Sequence, residues 1–126
     1  MINQETTARI IRCFYQVYNS LGFGFLEKVY ENALLIELKK EGLDCNKQVP
    51  IAVFYQGKTV GDYYADIIVN NEIILELKAV ETLVEEHDLQ LINYLKATNI
   101  EIGLLLNFGK KPQIKRKIFT NDKKTL

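Results

Sequence analysis

The strand-like run Ile73-Ile74-Leu75-Glu76-Leu77-Lys78-Ala79-Val80 is apolar except at two positions. Side chains alternate along a strand, so Glu76 and Lys78 point the same way as Ile74, into what is otherwise a buried face. Burying charge without partners is costly, and the preceding run Ala65-Asp66-Ile67-Ile68-Val69 offers one. If Asn70-Asn71-Glu72 is a three-residue loop, Val69 lies opposite Ile73 and Asp66 opposite Glu76, with Cβ atoms roughly 4.5 to 5.5 Å apart. A two-residue loop without a bulge would instead set Asp66 against Leu75 and send the carboxylates to different faces. Two carboxylates this close repel each other unless a cation sits between them, at about 2.0 to 2.1 Å from each oxygen for Mg²⁺. Lys78, one strand repeat away, could then orient a water or stabilise a phosphate oxygen. Hard oxygen ligands beside an ammonium suit phosphodiester hydrolysis. The bland counterpart, a solvated Glu-x-Lys ion pair on an exposed face, is weakened by Asp66 at the matching register.

A second polar set lies on the following helical pattern, where His87, Gln90 and Tyr94 recur at offsets of three and four and so share a face. Taken singly, Tyr94 reads as core packing with its hydroxyl at the rim, and His87 as a partly exposed surface residue. Other ligand chemistries are limited by composition. With Cys13 and Cys45 as the only cysteines and His87 as the only histidine, no four-ligand zinc or iron–sulfur site can be built from nitrogen and sulfur alone. Any metal must lean on oxygen. The two cysteines form neither a CxxC pair nor a disulfide framework and read as reduced and structural.

The net charge of zero hides an asymmetry. Residues 110–126 hold seven Lys/Arg, among them Lys110, Lys111, Lys115, Arg116 and Lys117, against one acid, which leaves the first 109 residues with nine basic groups against fifteen acidic ones. Such a segment either holds phosphates or is simply a solvated charged terminus. The stretch Met1 to Thr7 lacks the features of a signal peptide, and the apolar stretch near Ile100 to Phe108 is too short for a membrane span. The expectation is a soluble cytoplasmic protein without membrane contact.

These residues need elements to position them. Glu5 to Leu21 carries Ile11, Phe14 or Tyr15, Tyr18 and Leu21 at helical spacing, with Gly22 as its cap. A second helix is predicted from about Phe25 to Lys40, with Leu26, Tyr30, Ala33 or Leu34 and Leu38 on its inner stripe, and Glu27 near its N-terminus where the dipole favours an anion. Period-two alternation then begins at Val49 and continues through Tyr55; Gln56-Gly57-Lys58 turns into a strand from Thr59 onward, and Tyr63 to Val69 returns as Ile73 to Val80. Glu85 to Thr98 reads as a third helix and Ile100 to Phe108 as a buried strand, followed past Gly109 and Pro112 by a short edge strand or a mobile tail. No linker, repeat or low-complexity stretch divides residues 1–126, which are expected to form one domain: a mixed sheet covered by helices.

Gly24-Phe25-Leu26-Glu27-Lys28-Val29-Tyr30 is a full GxxExxY string, and it precedes Gln48-Val49-Pro50, Ala65-Asp66, Glu76-Leu77-Lys78-Ala79-Val80 and Gln90-Leu91-Ile92-Asn93-Tyr94 in that order. Over nearly its whole length the chain resembles the GxxExxY proteins, a family of the PD-(D/E)XK nuclease superfamily. The resemblance implies a restriction-endonuclease-like α/β fold with an αβββαβ core. It assigns Asp66 and Glu76 to metal binding with the Leu77 carbonyl as a further ligand, Lys78 to the catalytic lysine, and Glu27 to the helix acid that reaches the metal directly or through water. Gln90 and Tyr94 match the QxxxY element that lines the active site of related recombination-type exonucleases. Ala65 stands where the superfamily's name has proline, although the carboxylate is kept. The cysteine cluster that holds an iron–sulfur cluster in some relatives is absent, so none is expected.

The reading is therefore a Mg²⁺- or Mn²⁺-dependent nuclease acting on DNA, with the basic segment against nucleic acid and a homodimer where both strands of a duplex must be cut. Two readings of other classes compete with it: a binding or regulatory module that keeps the nuclease fold without hydrolysing anything, and a structural protein that dimerises through a sheet edge or the first helix. A fold of this kind does not by itself imply activity.

Overall fold

The computed structural model describes residues 3–125; Met1, Ile2 and Leu126, which the expected 1–126 domain includes, lie outside the described residues. Among the described residues the chain forms α1 (Gln4–Leu21), α2 (Glu27–Lys40), β1 (Cys45–Tyr55), β2 (Lys58–Val69), β3 (Ile73–Lys78), α3 (Glu85–Lys96), β4 (Ile102–Phe108), β5 (Pro112–Ile118) and a single 3₁₀ turn at Asn121–Lys123. The strands build one sheet in the order β1-β2-β3-β4-β5. All neighbours are antiparallel except β3 and β4, which run parallel and are joined by α3, as a crossover connection requires.

Alternation on β3 and β4 separates two cores. Ile73, Leu75, Leu77, Leu104 and Phe108 pack with α1 and α2 through Ile10, Phe14, Tyr30 and Leu34. Ile74 and Leu105, of the opposite parity, pack with α3 through Leu91 and Leu95. This is the expected α/β architecture, a mixed sheet flanked by helices.

Several boundaries differ from the expectation. The buried stripe of α1 includes Ile10, Cys13, Phe14 and Val17: Phe14, one of the two alternatives expected at its place, lies inside, Ile10 stands where Ile11 was expected, and Tyr18 and Leu21 pack partly buried against the core. Leu26 was expected on the inner stripe of α2 but caps that helix and is 82% exposed, because the helix begins only at Glu27. β1 starts at Cys45 rather than Val49, β2 runs unbroken through Thr59 and Tyr63, and β3 stops at Lys78, two residues short. The Gln56-Gly57 turn is a two-residue one, with Tyr55 opposite Lys58 and positive φ at both turn residues. Beyond Gly109 the chain forms an edge strand, β5, rather than a tail. Among the described residues no helix is long and apolar enough to cross a membrane.

Candidate active site

The loop Asn70-Asn71-Glu72 holds the register on which the carboxylates depend. Asn70 and Asn71 both adopt left-handed backbone, which asparagine tolerates, and Val69 pairs with Ile73, Ile68 with Ile74 and Ile67 with Leu75. One step further, Asp66 and Glu76 would continue the ladder. There side chains take over: the Asp66 N–H donates to Glu76 Oε1 at 3.0 Å, and the Leu77 N–H donates to Asp66 Oδ2 at 2.8 Å. Each strand's carboxylate thus satisfies the other strand's amide, and β2 and β3 part around the two acids.

The parting coincides with a change of strand phase that strict alternation would not allow. Ala65 packs on the α3 side with Ile68, three residues away, whereas Ile67 packs on the α1–α2 side. The neighbouring strand changes phase at the same level: Cys45 packs on the α1–α2 side and Val49 on the α3 side, with Gln48 between them at φ 49°. The pairs on either side of the irregularity are Lys47 with Ile67 and Val49 with Ala65, so it falls at Gln48 and Asp66. Gln48 Nε2 donates to Glu31 Oε1 at 2.7 Å and lies 3.4 Å from Asp66 Oδ1.

Glu31 is only 4% exposed and is also bonded by the Lys28 ammonium at 3.0 Å. Together Glu27, Lys28, Glu31, Gln48, Asp66 and Leu77 line a small depression of about 210 Å³ between α2 and the sheet. Sequence reasoning gave Glu31 no role, and gave none to Gln48 beyond its motif. Spacing could have found Glu31, since it follows Glu27 by four residues and so shares its helix face.

The GxxExxY string has a local physical basis. Gly24 has φ 112°, a region closed to side-chain-bearing residues. Tyr30 is fully buried, stacks on Phe108 at 4.4 Å, donates its hydroxyl to the Gly22 carbonyl at 2.6 Å and accepts from the Phe25 N–H at 3.2 Å. That hydroxyl staples the loop whose end places Glu27 at the first turn of α2.

On the α3 side, Lys78 Nζ donates to Gln90 Oε1 at 3.3 Å, and Gln90 Nε2 donates to the Tyr94 hydroxyl at 3.0 Å. Lys78, Gln90 and Tyr94 thus form one polar chain beside Glu76. His87 is not part of it: its ring Nδ1 accepts from the Val84 N–H at 3.1 Å and its backbone N–H donates to the Val84 carbonyl at 3.0 Å, so it closes the first turn of α3. Asn107, fully buried, pins the end of β3 by bonding both the N–H and the carbonyl of Val80. It escaped notice because it sits in a stretch read only as a buried strand.

The electrostatics match the burial. Glu76 is 3% exposed, and burial, aided by repulsion from Asp66, pushes its carboxyl up to about 8. Burial likewise raises Asp66, where the Leu77 amide opposes it and Glu31 adds to it. Glu27, on the rim, is raised by desolvation against the pull of Lys78, and the Tyr94 phenol is raised by burial and by Glu76. Fully ionised, such a set of acids would hold more negative charge than its neighbours compensate. Among the described residues no three His, Cys, Asp or Glu side chains gather closely enough to hold a metal by themselves. The donor chemistry that fits a hard divalent cation is therefore the Asp66 and Glu76 pair, with a backbone carbonyl such as that of Leu77 beside it.

The basic residues of the C-terminal segment do not share one surface. Lys110 and Lys111 are exposed in the loop before β5, whereas Lys115 and Lys117 turn to Asp88 of α3, at 3.1 and 3.8 Å. Arg116 alternates to the other face of β5, the side on which Ile114 packs.

A mixed sheet with a β-hairpin, a parallel crossover and two carboxylates at the parting of the central strands defines a restriction-endonuclease-like α/β protein. The profile of the PD-(D/E)XK nuclease superfamily matches residues 4–117, and the chain belongs to that superfamily. Members of it usually use divalent metals. The crystal structure of SSO0001 has the same fold, with a TM-score of 0.61 at 20% identity over 75% of this chain and 50% of that one. The chain thus spans about half the length of that protein, and the likeness is one of fold. No curated protein matches the sequence.

Proposed function

We infer that residues 1–126 form a single nuclease domain of the GxxExxY family, hydrolysing phosphodiester bonds in DNA with Mg²⁺ or Mn²⁺ at Asp66 and Glu76. The observation that carries this reading is the Glu76 carboxyl, buried, raised to about 8 and bonded to the Asp66 amide, one strand repeat from Lys78. One amide bond does not offset the burial of that carboxylate, and a bound cation would. When bound, that cation supplies Lewis acidity at the phosphate and lowers the pKa of an attacking water.

The chain's own residues then have distinct tasks. The Leu77 amide holds one oxygen of Asp66 and the Asp66 amide one oxygen of Glu76, which fixes the direction in which the remaining lone pairs point. Lys78 brings positive charge to the non-bridging phosphate oxygens, and Gln90, itself fixed by Tyr94, sets where the ammonium sits. Glu27 stands at the rim of the depression and orders water there. The exposed Lys110 and Lys111 serve the DNA backbone better than Lys115 and Lys117, which Asp88 already neutralises in part. Cutting both strands of a duplex would need two copies of the site and hence a homodimer, whereas one strand needs a single copy.

The test is a cleavage panel of single-stranded DNA, duplex DNA and RNA with Mg²⁺ and with Mn²⁺, run beside Glu76→Ala and Lys78→Ala. Metal-dependent cleavage lost in both variants is expected; cleavage that survives either substitution sinks the assignment. A binding or regulatory module that keeps the fold without hydrolysis is favoured by one observation, that among the described residues no third acid joins the pair to complete a metal-holding cluster. It predicts Mn²⁺ binding that Asp66→Asn abolishes, with no cleavage of any substrate.

A further inference from the structure

Beside the acids, on the α3 side of the sheet, lies a second and larger hollow of about 430 Å³, within the size range of ligand sites of about 300 to 1,000 Å³. It runs between the β1–β2 hairpin and α3. Val53, Tyr63 and Leu89 form its walls, and Gln90, Asn93 and Tyr94 close the end nearest Lys78. It thus shares the Gln90–Tyr94 wall with the candidate active site.

The Tyr63 ring is built into this place. It lies against Tyr94, with centroids 5.8 Å apart and planes inclined by 47°, and Tyr94 is itself held by Gln90. Its other support is a missing side chain: a Cβ on Gly61 would sit 3.1 Å from Tyr63 Cε2 and 3.7 Å from Val53 Cβ, so glycine there makes the room that the ring occupies. Tyr63 is nevertheless 49% exposed, which leaves much of the ring open to the hollow and to solvent. A fixed, half-open aromatic ring with an aliphatic wall opposite and side-chain amides at one end is what a planar heteroaromatic ring requires: a face to stack on and donors and acceptors for its edge.

We propose that the hollow between the β1–β2 hairpin and α3 seats an unpaired nucleobase of single-stranded DNA, stacked on Tyr63 next to the phosphate held at Glu76 and Lys78. The inference rests on the nuclease reading and narrows it. The occupant follows from continuity, because a phosphodiester at Lys78 carries its base within reach of the wall formed by Gln90 and Tyr94. A base in a duplex is stacked and paired, and cannot enter a slot between a hairpin and a helix without being extruded.

The experiment measures fluorescence anisotropy with a labelled single-stranded DNA, a covalently closed DNA hairpin duplex and the same single strand bearing abasic sites, all with Ca²⁺ in place of Mg²⁺ or Mn²⁺, so that the acids are neutralised while cleavage is suppressed. Wild type should bind the single strand more tightly than the closed duplex or the abasic strand. Tyr63→Ala should weaken single-strand binding about 5- to 150-fold and duplex binding less than about two-fold. Tyr63→Phe, which keeps the ring, should stay within about two-fold of wild type, and a shared melting temperature for the three proteins secures the comparison. Wild-type binding to the single strand that Tyr63→Ala leaves unchanged, or that it lowers equally for duplex, overturns the stacking site while leaving the nuclease reading intact. Wild-type binding to none of the three probes sinks the nuclease reading itself, and this inference with it.

Discussion

The two faces of the sheet are built from the same strands and do opposite things. Toward α1 and α2, Phe14, Phe108 and Tyr30 form a contiguous aromatic cluster, Phe108 tilted against Phe14 at 4.7 Å and stacked on Tyr30 at 4.4 Å between centroids, over the leucines and isoleucines of β3 and β4. Toward α3 the apolar cover is thinner, and past Ile74 it gives way to Glu76, Lys78, Gln90 and Tyr94. β3 serves both faces at once: Ile73, Leu75 and Leu77 anchor it in the thick core, and Ile74, Glu76 and Lys78 face the other way. A charged site held to ångström tolerance needs a strand that cannot shift, and here the odd-numbered residues supply what the even-numbered ones use.

The contrast predicts opposite signs for truncating the core ring and for neutralising the buried acid. Phe108→Ala, in the thick core, should cost about 3 to 5 kcal/mol in urea denaturation, because it removes a ring stacked on Tyr30 and packed at a tilt against Phe14. A loss below about 1 kcal/mol would mean that this face is not the anchor. Glu76→Gln, on the other face, should abolish metal-dependent cleavage and yet stabilise the metal-free protein at alkaline pH. The sign follows from proton counts. The folded Glu76 keeps its proton up to about 8 while the unfolded chain loses it near 4.5, so between those values the native state binds more protons and its stability falls as pH rises. Glu76→Gln removes that slope. Its advantage over wild type should be near zero at pH 4.5 and reach a few kcal/mol above pH 8, read as melting temperature in chelator. Gly103→Ala should be intermediate, at about 1 to 3 kcal/mol, since the new Cβ would meet Leu91 Cδ1 at 2.6 Å and lift α3 from β4. If Gly103→Ala melts like wild type, α3 is not closely seated.

Much of this was legible in the sequence, and the misses share a cause. The three-residue loop with two asparagines set the register from local chemistry alone, and Val69 does pair with Ile73. The joint phase change at Gln48 and Asp66 could not be read, since it is a property of two strands at positions 18 residues apart in sequence and neither residue is a glycine that would announce it. Leu26 was misplaced because helical spacing does not say where a helix starts. Glu31 and Asn107 were missed because a polar residue on an apolar face is recognised only once its partner is known: Gln48 for the one, Val80 for the other. His87, read as a partly exposed surface residue, is partly exposed and closes the first turn of α3.

The smallest effect tests how the two polar halves of the α3 face are joined. Gln90 accepts from Lys78 and donates to Tyr94, so Gln90→Ala deletes the link without removing either charge or ring. Its side chain is half-buried, and truncating it should cost under about 1 kcal/mol of stability, the scale of one hydrogen bond. Cleavage should fall about tenfold through kcat with KM little changed, because the ammonium then samples positions away from the phosphate only when the chemistry needs it fixed. Gln90→Glu separates positioning from charge: its carboxylate can still accept from Lys78, and a rate nearer wild type than that of Gln90→Ala would show that holding the ammonium is what Gln90 contributes. Equal losses in both variants would assign its role instead to the bond with Tyr94, and hence to the wall shared with the neighbouring hollow.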